Sequence, residues 1–182
     1  MELVELWDDP DEISGDSNRK YYRKAIINWS RPKIWDPALG DFNVPRKWSG
    51  HGGIYAFMRS HWSQRDNLRI AYIGKAETFN RRLTCRHNHF DIVQRRGDTL
   101  VSCGRIAFER VHSRKGFYLE IEDIVKFCVY EWLENKQGFE SLPGFRQSQP
   151  RAMMPWVIEN KGYRFGGHMP RRIVYPSIGA EY

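Results

Sequence analysis

The sequence predicts an α+β domain, a small antiparallel sheet carrying helices. Three observations point there. Short stretches at 53–58, 68–74 and 99–111 are strand candidates, the last two with residues alternating between two faces. A longer stretch, 117–136, repeats its apolar residues at the α-helical period. The two kinds follow one another in the order β–β–α–β–α.

Each element has its own signal. Residues 1–18 read as a mobile head. In 19–30, Tyr22, Ile26, Ile27 and Trp29 suggest a short helix. The stretch 30–53 holds three prolines and four glycines, which predicts a long irregular connection. "GIYAFM" (53–58) and "LRIAYIG" (68–74) are strand candidates, joined by the polar "RSHWSQRDN", read as a loop. Residues 76–96 lack Gly and Pro and space Phe79, Leu83, Phe90 and Val93 as a helix, broken near His87–His89. In "TLVSCGRIAFERV" the alternation predicts a strand, with Gly104 at a bulge. Leu119, Ile121, Ile124, Val125, Cys128, Val129 and Trp132 mark the strongest helix, with Gly138 just beyond its end. Sequence pattern assigns no form to 151–182.

Composition narrows the function classes. At 182 residues the chain suffices for one hydrophobic core, and 14% aromatic residues argue for a folded chain. No apolar run is long enough to span a bilayer, and "MELVELWDDPDE" has neither a basic nor an apolar signal region. Cys85, Cys103 and Cys128 form no CxxC pair, so neither a zinc ribbon nor a disulfide framework is expected. A reducing, cytoplasmic protein without membrane partners is the expectation.

The net charge of +7 hides an asymmetry. Residues 1–16 hold seven acids and no base, so the other 166 residues set 29 bases against the remaining 15 acids, a net of +14. The bases cluster with aromatics at 18–33, 80–87 and 162–172. Lys and Arg neutralise phosphates while aromatic faces stack on bases, so nucleic acid is the favoured partner over a merely solvated basic surface.

The order of motifs is more specific than the composition. GIY at 53–55, YIG at 72–74, Arg82 ten residues beyond Tyr72, then a strand, then a helix with a glutamate in its apolar face resembles the GIY-YIG nuclease superfamily over about residues 50–136. The flanks, 1–49 and 137–182, read as N- and C-terminal extensions of that core. The resemblance implies a three-stranded antiparallel sheet flanked by helices, and metal-dependent hydrolysis of DNA phosphodiesters. It implies catalytic roles for Tyr55, Tyr72 and Arg82, and Glu122 as the metal ligand. Glu120, about 200° away around a helix, cannot serve the same site. Asn135 is the better match to the family's terminal asparagine and Asn160 the fallback. Where many members carry a histidine one turn after the arginine, this chain has Arg86; His87 stands beside it as a supporting residue.

The chemistry of these residue types agrees. A carboxylate offers a hard oxygen ligand to Mg²⁺, for which Mn²⁺ can substitute. Arg82 can hold a phosphate bidentately. A tyrosine is a poor base unless positive charge lowers its pKa, which Lys75, Arg82 and the metal would supply; Tyr55 is read as base or water-orienting group, with Tyr72 its hydrogen-bonding partner. Viewed alone, the tyrosines are ordinary sheet residues and Arg82 a surface helix residue; their company changes the reading. Candidate DNA contacts are Arg81, Arg86, Arg19, Lys20, Arg23, Lys24, Arg171 and Arg172. The short extensions favour the compact type II restriction layout, a homodimer on double-stranded DNA. The alternatives are a structure- or modification-directed repair or defence nuclease, and an inactive DNA-binding protein of the same fold.

Overall fold

A computed structural model describes residues 23–35, 44, 46–61, 64–84, 99–109, 115–129, 155–175 and 179–181. The expected mobile head, Arg19, Lys20, Arg86, His87 and Asn135 lie outside the described residues. One mixed sheet dominates the rest. Its eight strands are β1 (Arg23–Trp29), β2 (Lys33–Ile34), β3 (Gly53–His61), β4 (Gln64–Ala76), β5 (Thr99–Glu109), β6 (Trp156–Gly162), β7 (Arg172–Tyr175) and β8 (Gly179–Glu181). They run in the order β4-β3-β5-β1-β6-β7-β8, with β2 also paired to β5. The α-helices among the described residues are α1 (Phe79–Arg82) and α2 (Lys115–Val129).

This corrects the expectation of a small three-stranded sheet flanked by helices. The antiparallel trio β4-β3-β5 is present, but β5 continues into β1, and β1 into β6 as a parallel pair. The segment read as a short helix is β1. Ala25, Ile27 and Trp29 are buried at every second position, so its period is two rather than 3.6. Over seven residues a pair of isoleucines and a tryptophan fit either period; the hydrogen-bonding edge of β5 decides for the strand. The unassigned C-terminal stretch supplies β6, β7 and β8.

Two further expectations change. The polar stretch 59–67 is largely strand, because β3 runs on to His61 and β4 starts at Gln64, with register shifts between Phe57 and Met58 and between Arg59 and His61. Gly104 sits in regular register opposite both Trp29 and Ile54, with no bulge there. A Cβ on it would come within 2.8 Å of Ile27 Cγ2, so its smallness serves packing across the sheet.

Each face of the sheet has a core. On one, α2 lays Phe117, Ile121, Ile124, Val125 and Val129 against Ile27, Ile54, Met58, Ile73, Trp156 and Ile158. The helix packs on β3, β4 and β7, and the turn Phe165–Gly167 packs back on β4, so the sheet curls around α2. The other face carries Tyr55, Phe57, Val101 and Cys103, covered by Trp35, Val44, Trp48, Phe79 and Leu83. No helix among the described residues is long and apolar enough to cross a membrane.

Candidate active site

The β3–β4 hairpin sets the two motif tyrosines on one face. Tyr55 pairs with Gly74 and Phe57 with Tyr72, which makes Tyr55 and Tyr72 diagonal neighbours. Their ring centroids lie 6.0 Å apart. Gly74 is what lets them meet. A Cβ there would lie 2.5 Å from Tyr55 Oη and 2.7 Å from Tyr72 Cε1. The glycine of YIG therefore has a steric reason that its tripeptide alone does not reveal.

Arg82 joins them from α1. That single turn is fixed by Phe79 and Leu83, both fully buried, and by backbone bonds from Phe79 N to His51 O (3.0 Å) and from Asn80 N to Ser49 O (3.2 Å). Arg82 Nε donates to Tyr55 Oη at 3.3 Å. It also donates to Tyr72, and the two tyrosine hydroxyls hydrogen-bond each other. Burial, and then the neighbouring Tyr72, push the Tyr55 phenol well above its ordinary value, more than Arg82 can offset. Burial and the Glu122 carboxylate push Tyr72 up as well. Burial opposes the charge on Arg82, but the two tyrosine oxygens outweigh it and raise the guanidinium above its ordinary value. Both tyrosines are neutral phenols at neutral pH.

Tyr72 and Arg82 border a cleft of about 750 Å³, lined also by Lys75, Arg81, Tyr118 and Glu122, with Glu77 beside them. Tyr72 and Lys75 are an odd number of positions apart on β4, so the cleft gathers side chains from both faces of that edge strand. Tyr55 is fully buried behind Tyr72 and is not among the lining residues. The order expected from sequence is thus exchanged: Tyr72 faces the cleft, and Tyr55 supports it.

Glu122 and Glu120 part company as their helical phases require. Glu122 is 5% exposed and accepts a hydrogen bond from Lys126 Nζ, which is equally buried. Glu120 instead accepts from Trp156 Nε1 at 2.7 Å and lies 3.5 Å from Arg23. Sequence reasoning passed over Lys126 and Tyr118. Both stand four residues from Glu122, the spacing of side-chain neighbours on a helix, so a signal was available.

The candidate DNA contacts separate into groups. Arg81 lines the cleft. Arg23 is drawn into the fold, 4.4 Å over the Phe117 ring, and Lys24 pairs with Glu159 at 2.9 Å and Glu109 at 3.7 Å. Arg171 and Arg172 line a second depression, at the end of β6. Asn160 accepts from Trp29 Nε1 at 2.9 Å and donates to Pro170 O at 2.8 Å, apart from the cleft residues.

Among the described residues no group of three or more His, Cys, Asp or Glu is placed to hold a metal. Glu77 and Glu122 are the carboxylates lining the cleft. One or two carboxylates suit Mg²⁺, which keeps several waters and takes its remaining ligands from a phosphate. Glu77 and Glu122 are the residues that could hold such an ion there.

Comparison with family models, with characterised proteins and with solved structures returns no match for this chain.

Proposed function

We propose that the protein is a metal-dependent DNA endonuclease of the GIY-YIG kind, acting as a type II restriction enzyme on double-stranded DNA. One observation carries the reading. The guanidinium of Arg82, tied to Tyr55, stands beside Tyr72 in a cleft to which a different element, α2, brings the buried carboxylate of Glu122.

Each group has a task that follows from its surroundings. With Nε committed to Tyr55 and a further hydrogen bond to Tyr72, Arg82 is fixed before a substrate arrives, so holding a phosphate costs little reorganisation. Tyr72, hydrogen-bonded to Tyr55 and Arg82, faces the cleft as a neutral phenol. As a phenol it donates to a phosphate oxygen and does not serve as the base. Lys75 and Arg81 add positive charge where the scissile phosphate develops negative charge. Glu122, held on one oxygen by Lys126, presents a preset carboxylate as the metal ligand. When bound, Mg²⁺ supplies an acidified water and screens the phosphate charge. Tyr55 never touches substrate: it positions Arg82 and Tyr72.

A site with one metal-binding carboxylate of this kind cuts one strand per visit, so cutting both strands calls for two copies related by a two-fold axis. The test is conversion of supercoiled plasmid and phage DNA to discrete fragments in Mg²⁺. Wild type is expected to give a fixed fragment pattern and Arg82→Ala to give none. Equal cutting by both would remove Arg82 from the chemistry. No cutting of unmodified DNA by the wild type would refute the restriction reading.

A further inference from the structure

The second depression, about 440 Å³ at the end of β6, is lined by Glu159, Asn160, Lys161, Arg164, Arg171 and Arg172. We propose that it is a phosphate-binding subsite that grips a backbone phosphate of the nucleic acid held in the cleft. The inference rests on the nuclease reading above.

Its charge comes first. Four cations face one carboxylate, and that carboxylate is already engaged: Glu159 lies 2.9 Å from Lys24 and 3.4 Å from Lys161. The hydrogen bond from Lys24 holds it below the usual carboxylate range. Arg164 and Arg171 therefore find no other acid among the described residues lining the depression. Arg164 Nε is buried and meets no hydrogen-bond acceptor among the described residues. A buried charged donor without an acceptor is unfavourable unless a ligand supplies one. A carboxylate ligand would satisfy one guanidinium by two parallel bonds, whereas several converging guanidinium groups suit the wider oxygen array of a phosphate.

The depression is also built rather than incidental. The chain reaches it through Gly162, Phe165, Gly166 and Gly167, all at positive φ, of which Phe165 at 52° is the strained one. Full burial of Phe165 holds that conformation, edge-on to Trp29 at 4.9 Å and to Tyr163 at 5.0 Å. The Arg164 carbonyl accepts from Gly167 N at 2.9 Å, closing the turn. Asn160 braces the other side, its backbone N bonded to Arg171 O at 2.7 Å and its side chain to Pro170 O. The same turn packs against β4, the strand that carries Tyr72 and Lys75.

The experiment is equilibrium binding of a labelled duplex to the full chain across a salt series, with Arg164→Gln, Arg171→Gln and Arg82→Ala beside wild type. Thermal melts of each variant run alongside; Arg171 is exposed, so its variant keeps the test alive if Arg164→Gln does not fold. The proposal expects each subsite variant to weaken duplex binding, Arg164→Gln by at least about tenfold, and to reduce the slope of log K against log salt by about one. Folded subsite variants that bind like wild type with an unchanged slope, while Arg82→Ala binds more weakly, would overturn it. Inorganic pyrophosphate titrated alone distinguishes the source: tight binding lost in Arg164→Gln would make this a site for free phosphate and overturn the backbone assignment. A wild type that binds no duplex would instead refute the nucleic-acid reading on which the proposal rests.

Discussion

Replacing Lys126 with methionine tests the buried contact between its ammonium and the Glu122 carboxylate. Both residues are only 5% exposed, and the ammonium donates directly to Glu122 Oε1. At an effective dielectric near 20, opposite charges about 4 Å apart attract by about 4 kcal/mol. Removing one partner of such a pair costs about 3–5 kcal/mol, because the other charge stays buried. For a chain of this size each kcal/mol moves the melting point by about 2–4 °C, so Lys126→Met should melt about 6–20 °C below wild type. Circular dichroism and urea titration read this directly. If Glu122 binds Mg²⁺, saturating the variant at a hundred times Kd restores about 2.7 kcal/mol. The pair Glu122→Leu with Lys126→Met should return near wild-type stability and lose all response to Mg²⁺. A Lys126→Met melt within about 1 kcal/mol of wild type would refute the buried ion pair; a large loss that Mg²⁺ leaves untouched would refute the metal-ligand role.

Other expectations follow from the same geometry. Gly74→Ala drives a methyl into Tyr55 Oη and Tyr72 Cε1 and should cost about 1–3 kcal/mol in urea unfolding, with loss of DNA cleavage; unchanged stability would mean that the rings do not meet over this residue. Tyr55 has a folded pKa raised above its ordinary 10.0, so its contribution is complete below that pH and is lost as pH rises toward the folded value. Tyr55→Phe should therefore flatten the alkaline limb of the melting curve, and an identical limb in both proteins would contradict the burial. Burial pushes the Cys103 thiol up to about 12, so it should resist maleimide at about pH 8 and react once urea is added; rapid native labelling, mapped by peptide mass, would contradict its enclosure.

What the sequence disclosed was local. The hairpin, β5 and α2 each repeat their apolar residues at a clear period over one short window, so their existence could be read directly. The sheet's extent could not. β1 gains its place from β5 and β6, and the bond from Trp29 to Asn160 spans 131 residues. A window of seven residues carries no trace of such partners, and a strand passed for a helix. In the site, the residue types and the Glu122 phase were visible, but burial was not. Tyr55 looked available as a base because nothing in "GIY" shows that Trp35, Phe57 and Phe79 close over that face. Lys126 was visible at i+4 yet unweighted, since an exposed helix pair of that spacing contributes little and only enclosure makes it costly to break.

The most direct test separates binding from chemistry at Glu122. Wild type and Glu122→Gln, matched for folding by circular dichroism, are each bound to a duplex containing a cut site, and single-turnover cleavage is started with Mg²⁺. The account predicts that Glu122→Gln keeps its duplex affinity and loses cleavage. Cleavage by Glu122→Gln at the wild-type rate would contradict it.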